Sequence, residues 1–163
     1  MQLSMNRRAV TGTYALLIRL TTGRRLIVGK PGPRECPARK FPARKFPEGY
    51  YLYLGSALKG LEGRLRRHLQ HDKKPHWHID VLTNAETVAQ IWRSEGDEGR
   101  ECLWAQAAPL HPGASVPVPG FGSSDCRCTT HLVHLSTSSQ VQLLRKLIAP
   151  DSFRCGTDLA DGQ

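Results

Sequence analysis

The chain lacks any apolar run that approaches the length of a membrane span. Residues 1–13 hold Arg7 and Arg8 but no apolar stretch long enough for a signal peptide. A cytoplasmic location with no membrane partner is the resulting expectation. Acidic residues are outnumbered, with 14 Asp and Glu against 23 Lys and Arg, a formal net charge of +9. That balance favours a polyanion partner, because clustered cations attract phosphates and release their counterions. Cysteine is sparse and odd in number, five residues at irregular spacing. A secreted disulfide framework usually carries an even count, so reduced thiols are expected. Repeats are confined to one tandem pair, PARKF at residues 37–41 and again at 42–46. Two copies are too few for a solenoid.

What is present fits one domain with a real core in 163 residues. Residues 11–20 mix β-formers with an apolar run and predict a strand. Thr22-Gly23 predicts a turn, and residues 25–29 a second strand paired to the first as a hairpin. Residues 30–47 read as a basic, proline-punctuated loop, either a tolerated surface duplication or an added phosphate-gripping finger. Residues 49–57, GYYLYLGSA, predict a third strand whose alternation sets Tyr51 and Tyr53 on one face and Leu52 and Leu54 on the other.

A helix is predicted over residues 58–70, with Leu61, Leu65 and Leu69 on one stripe, and a short helix over 75–82. Residues 86–93 read as a strand, and 96–99 as a turn with Asp97 as N-cap. A helix over 100–108 stops at Pro109. After an irregular Pro/Gly/Ser segment at 111–128 come a short strand at 130–135 and an amphipathic helix at 138–148. That helix has a Ser N-cap and buries Val141, Leu144 and Ile148. The expected fold is α+β, a small antiparallel sheet flanked by helices. It comprises a loose start at 1–10, the domain proper at 11–135, and a C-terminal helix with a disordered tail at 136–163.

Chemistry concentrates in Gly12-Thr13-Tyr14, in Tyr53-Leu54-Gly55-Ser56-Ala57, and in Gly63-Arg64 and Arg67-His68 on the next helix. Arg64 and His68 stand at i and i+4 and share a helix face that flanks the leucine stripe, whereas Arg66 points away. Glu101 lies in the first turn of its helix, on a face with Trp104, Ala105 and Ala108. A carboxylate on an apolar face is costly without a partner, and a hard divalent cation would supply one. Glu101 could instead complement the helix dipole, and Glu95 and Glu98 compete as ligands.

These motifs resemble the GIY-YIG nucleases, which carry a Gly-x-Tyr strand, a neighbouring Tyr-x-Gly strand, then a helix with an essential Arg and often a His one turn later. The strings FPEGYYLYLGSA, GLEGRLRRHL, KPHWHIDVL, ECLWAQA and VPGFGSSDCRC resemble the Uri-type subfamily more narrowly, from about residue 12 to 134. That subfamily was long labelled a domain of unknown function and also occurs fused to DNA-repair glycosylases. The resemblance implies an endonuclease that hydrolyses nucleic-acid phosphodiester bonds, with DNA the expected polymer and repair or processing the expected context. It implies Tyr14, Tyr53, Arg64 and His68 as catalytic residues and Glu101 as ligand to one Mg²⁺ or Mn²⁺. Gly55, Ser56, Lys59, Arg67, His76, His78, Ser124 and Asp125 are the expected nucleic-acid contacts.

This sequence departs from the pattern at Thr13, where the motif has Ile. It departs again in the PARKF duplication, and at Ser123-Ser124-Asp125, where many members place an Asn.

Other classes were open to the same residues. A non-catalytic nucleic-acid-binding module would keep the fold and charge. Cys126, Cys128, His131 and His134 form C-x-C-x₂-H-x₂-H, tighter than structural zinc spacing, so local packing beside the site is the preferred reading of them. No Cys stands in a recognised nucleophile context. Trp77, flanked by two His, is the tryptophan that competes with a core role as a base-stacking platform. No separate recognition domain is visible, so strong sequence specificity is not expected, and oligomeric state is left open.

Overall fold

Both long edges of the central strand are paired, and this decides the architecture. In the computed structural model, which describes residues 9–28 and 43–155, β1 (Gly12–Leu20) lies between β4 (Gly49–Ala57) and β5 (Val88–Glu95), antiparallel to each. Outside them lie β6 (Leu132–Leu135) on β4 and β7 (Ser152–Cys155) on β5. The order is β6-β4-β1-β5-β7. The fold is the expected α+β arrangement. Among the described residues, no helix is long and apolar enough to cross a membrane.

Helices cover both faces of the sheet, so β1 is buried at nearly every position and reads as a continuous apolar run rather than an alternation. One face packs under α1 (Leu61–Leu69) and α2 (Asp80–Ala85), with Leu16, Ile18, Tyr51, Tyr53, Leu61, Leu65 and Leu82 in its core. The other packs under α3 (Glu101–Ala107) and α4 (Ser138–Ile148), with Leu17, Leu52, Leu54, Trp92 and Trp104. A 3₁₀ turn, Ala108–Leu110, follows α3 and contains Pro109. Val141, Leu144 and Ile148 are the buried stripe of α4, as its periodicity predicts.

Several expectations need correction. The second strand, β2 (Arg24–Ile27), does not pair with β1, whose partners are already taken; it pairs with β3 (Ala43–Phe46) in a separate two-stranded sheet. The second PARKF copy is therefore largely strand rather than loop, and its Phe46 is fully buried against Tyr51. The first copy lies outside the described residues, as do residues 1–8 and 156–163.

The short helix expected at 75–82 forms later, at α2, because Asp80 captures the backbone N–H groups of His76 and Trp77 and holds the chain ahead of it in a bend and turn at 77–79. Asp97 does not cap α3; it accepts a hydrogen bond from the Thr11 hydroxyl, and Arg100 occupies the N-cap. The cap of α4 is Thr137 rather than a Ser, in a reciprocal capping box with Gln140. Residues 152–155, expected as disordered tail, are β7.

Candidate active site and a neighbouring thiol cluster

The register of β1 against β4 builds the first half of the site. Tyr14 sits opposite Gly55. A Cβ on Gly55 would stand 2.5 Å from the Tyr14 ring, so the glycine leaves room for that ring to lie across the neighbouring strand. The ring is fully buried, and its hydroxyl reaches His68 Nε2 at 2.7 Å. Tyr53 shares the face by alternation, its ring centroid 6.4 Å from that of Tyr14 and 6.3 Å from that of His68. Gly122, at φ +70, leaves open a position where a Cβ would stand 3.0 Å from the Tyr53 ring.

Helix α1 supplies the second half. Leu61 and Leu65 are buried against the sheet, which fixes the helix rotation. That rotation turns Arg64 and His68 inward and leaves Arg66 exposed. The Arg64 guanidinium lies over the Trp77 ring at 4.3 Å and donates to the Ser56 carbonyl at 3.2 Å. Trp77 is clasped from its other neighbour as well, Arg67 lying 4.4 Å from the ring centroid. Arg67 forks onto the buried Asp80 carboxylate with two 3.0 Å hydrogen bonds. The burial of Asp80 would raise its pKa, but the Arg67 fork and the two backbone N–H groups outweigh it and hold the carboxyl below its ordinary range.

Glu101 closes the constellation from the opposite side. Its Oε2 accepts from the Ser56 hydroxyl, and its Oε1 stands 2.8 Å from His131 Nδ1. Burial pulls its pKa up, but the hydrogen bonds from His131 and Ser56 and the charges of His131 and Arg64 win, so the group is held as a carboxylate. The phenols behave in the opposite way. Burial pushes Tyr14 up to about 12 despite the Arg64 guanidinium beside it, and pushes Tyr53 well above its ordinary value. Burial also lowers His68 to about 3, helped by Arg64, Lys73 and Arg67 against Asp80. Near neutral pH the Tyr14–His68 pair is therefore an uncharged phenol bonded to an uncharged imidazole.

These groups border one cleft of about 430 Å³. Tyr14, Tyr53, Gly55, Ser56, Lys59, Arg64, His78, Glu101, Ser124 and Asp125, all picked out from sequence, line it. Leu58, Trp77 and Gly122 line it too and were not among the named contacts. His68 stands behind Tyr14. Arg67 and His76 do not line the cleft: Arg67 is engaged by Asp80, and His76 packs edge-on against Trp77. His78 is turned so that its Nδ1 accepts from the Gly122 N–H at 2.9 Å. The competitors Glu95 and Glu98 lie outside the cleft in exposed ion pairs with Arg93 and Arg100.

A second group lies beside Glu101. The thiols of Cys102, Cys126 and Cys128 and a ring nitrogen of His131 all fall within 4.8 Å of one another, a set that could hold a metal ion. The C-x-C-x₂-H-x₂-H spacing groups Cys126, Cys128 and His131 with His134. Instead His134 donates through Nε2 to the Glu48 carbonyl at 2.8 Å and stacks on Tyr51. Cys102, remote in sequence, takes its place.

Fold and cleft define an α+β protein with tyrosine, arginine and carboxylate side chains converging at the end of an antiparallel sheet. The chain belongs to the family described as domain of unknown function DUF123, whose model matches residues 13–150. No curated protein and no solved structure matches it.

Proposed function

We propose that the protein is a metal-dependent endonuclease of the GIY-YIG type that hydrolyses nucleic-acid phosphodiester bonds, with DNA as the polymer. The observation that carries this reading is the convergence of Tyr14, Tyr53, Arg64 and the ionised Glu101 on one cleft. A site for binding alone has no use for a half-buried carboxylate facing a bound phosphate, because the two anions repel. The net charge of +9 adds long-range attraction for the polyanion.

Glu101 fits a hard divalent cation. One oxygen accepts from Ser56 and the other stands 2.8 Å from His131 Nδ1, and a carboxylate oxygen has a second lone pair to offer. Mg²⁺ is commonly held by one or two carboxylates plus waters and phosphate oxygens. Mg²⁺ or Mn²⁺ at Glu101 would polarise the scissile phosphate and stabilise the leaving oxygen.

The chain's own residues supply the rest. Arg64, poised by Trp77 and the Ser56 carbonyl, neutralises the phosphate as charge develops in the transition state. Tyr14 positions the attacking water. With the Tyr14 hydrogen directed to neutral His68 Nε2, a phenol lone pair is left to accept the water's proton as Tyr14 passes its own to His68. A phosphate in the cleft favours that transfer, since its negative charge stabilises the imidazolium. Tyr53 walls the water in, and Lys59, Ser56 and His78 border the path of the strand.

The test is cleavage of labelled single-stranded, duplex and branched DNA and RNA with Mg²⁺, Mn²⁺ or EDTA. The Glu101→Ala and Arg64→Ala proteins run beside the wild type. Metal-dependent cleavage of a DNA substrate, lost in both variants, is the expected result. Binding without cutting, unchanged by Glu101→Ala, would overturn the enzyme reading and leave a nucleic-acid-binding module.

A further inference from the structure

Three of the cysteines meet although the chain keeps them apart. Cys102 stands in the first turn of α3, while Cys126 and Cys128 belong to the irregular segment that leads to His131 and β6. Each is free of a disulfide. The three sulfurs and one His131 ring nitrogen lie within 4.8 Å of one another. His131 is buried, and its two nitrogens face different partners. Nε2 is 3.3 Å from Cys126 Sγ, and Nδ1 is 2.8 Å from the Glu101 carboxylate. A histidine that ligates a metal through one nitrogen characteristically has the other held by a carboxylate or carbonyl, which fixes the tautomer.

We propose that Cys102, Cys126, Cys128 and His131 bind one zinc ion, in a closed structural site distinct from the Mg²⁺ or Mn²⁺ position at Glu101. Three sulfurs and an imidazole nitrogen are soft and borderline donors, suited to zinc and poorly suited to Mg²⁺ or Mn²⁺. Four protein ligands leave no open position, the mark of a structural rather than catalytic zinc. The ion ties the 123–131 segment, which forms no helix or strand, to the start of α3. It thereby sets Gly122 against Tyr53 and His131 against Glu101, so the zinc site is the floor beneath one wall of the cleft. The inference stands on the cluster geometry and does not depend on the nuclease reading.

The experiment is metal analysis of the full chain, expressed without a histidine tag and purified under reducing conditions, with zinc K-edge absorption for the ligand shell. One zinc per folded chain is expected, with three sulfurs at about 2.3 Å and one nitrogen at about 2.0–2.1 Å. Cys155→Ser and His76→Ala are expected to keep one zinc per chain, and Cys126→Ser and His131→Ala to lose it. The wild-type measurement decides the matter even where those last two variants fail to fold. A folded wild-type chain with well under one zinc, a shell of nitrogen and oxygen alone, or a disulfide among the three thiols would overturn the site. None of these readouts involves cleavage, so an inactive protein that holds zinc would sink the nuclease reading and leave this one standing.

Discussion

On one face of β4 stand Leu52 and Leu54, packed with Trp104, Val141 and Leu144; on the other stand Tyr51 and Tyr53, packed with Phe46, Phe121 and His68. The two sets are interleaved along one strand, and each is buried under helices. The aliphatic face is satisfied by shape, and any side chains of the right volume would fill it. The tyrosine face buries oxygens and nitrogens that need named partners. Tyr51 donates to the Pro47 carbonyl at 2.5 Å, and Tyr14 meets His68 at 2.7 Å. A buried polar group without its partner is expensive, so this face holds its geometry more tightly than packing alone would. One side of the sheet supplies stability, and the other spends some of it on a fixed arrangement of polar groups.

That contrast can be broken from either side. Tyr14→Phe removes one hydroxyl from the polar face. We predict that cleavage falls on the order of 100-fold while stability changes by about 1 kcal/mol. Unaltered cleavage would take Tyr14 out of the chemistry. Leu144→Ala cuts into the aliphatic face. It is predicted to cost about 2–5 kcal/mol in urea unfolding and to leave cleavage per folded molecule unchanged; a parallel loss of turnover would mean that the faces are not separable.

Gly55→Ala joins the two effects, since the new methyl meets the Tyr14 ring. We expect a loss of about 1–3 kcal/mol together with reduced cleavage, and a variant that loses neither would contradict the packing role of this glycine.

A further effect is in acid. His68 takes its proton near an ordinary 6.5 when unfolded and at about 3 when folded. Between these values the unfolded chain binds the extra proton, so this group's stabilisation is full above 6.5 and is lost as pH falls toward 3. The melting temperature of His68→Gln should therefore fall less steeply than that of the wild type across that window. Identical slopes would mean that His68 is not buried neutral.

The same contrast explains what was legible beforehand. Strand β4 and the buried stripe of α4 follow from local periodicity, because period 2 and period 3.6 are written in consecutive residues. β7 was not legible: Ser152, Phe153, Arg154 and Cys155 are all exposed and show no alternation between buried and exposed faces. They are strand because β5 offers an open edge, a fact about distant residues. β2 was assigned to the wrong partner for the same reason.

In the cleft, Tyr14, Tyr53, Arg64 and Glu101 could be brought together on paper because a motif relates their positions. Arg67, expected as a nucleic-acid contact, could not be recognised from spacing as a structural residue; the buried Asp80 turns it into a clamp on the segment at 76–77. Cys102 was missed as a possible metal ligand because spacing rules look for neighbours along the chain, whereas its partners arrive from the 126–131 segment.

The most direct measurement is cleavage of labelled DNA by Glu101→Gln across a Mg²⁺ titration, with binding measured in EDTA. The amide keeps the shape of the carboxylate and an oxygen to accept from Ser56, but removes the charge that would hold the cation. The account predicts a folded protein that binds DNA as the wild type does and cuts it at least 100-fold more slowly at every Mg²⁺ concentration. Cleavage at the wild-type rate would contradict it.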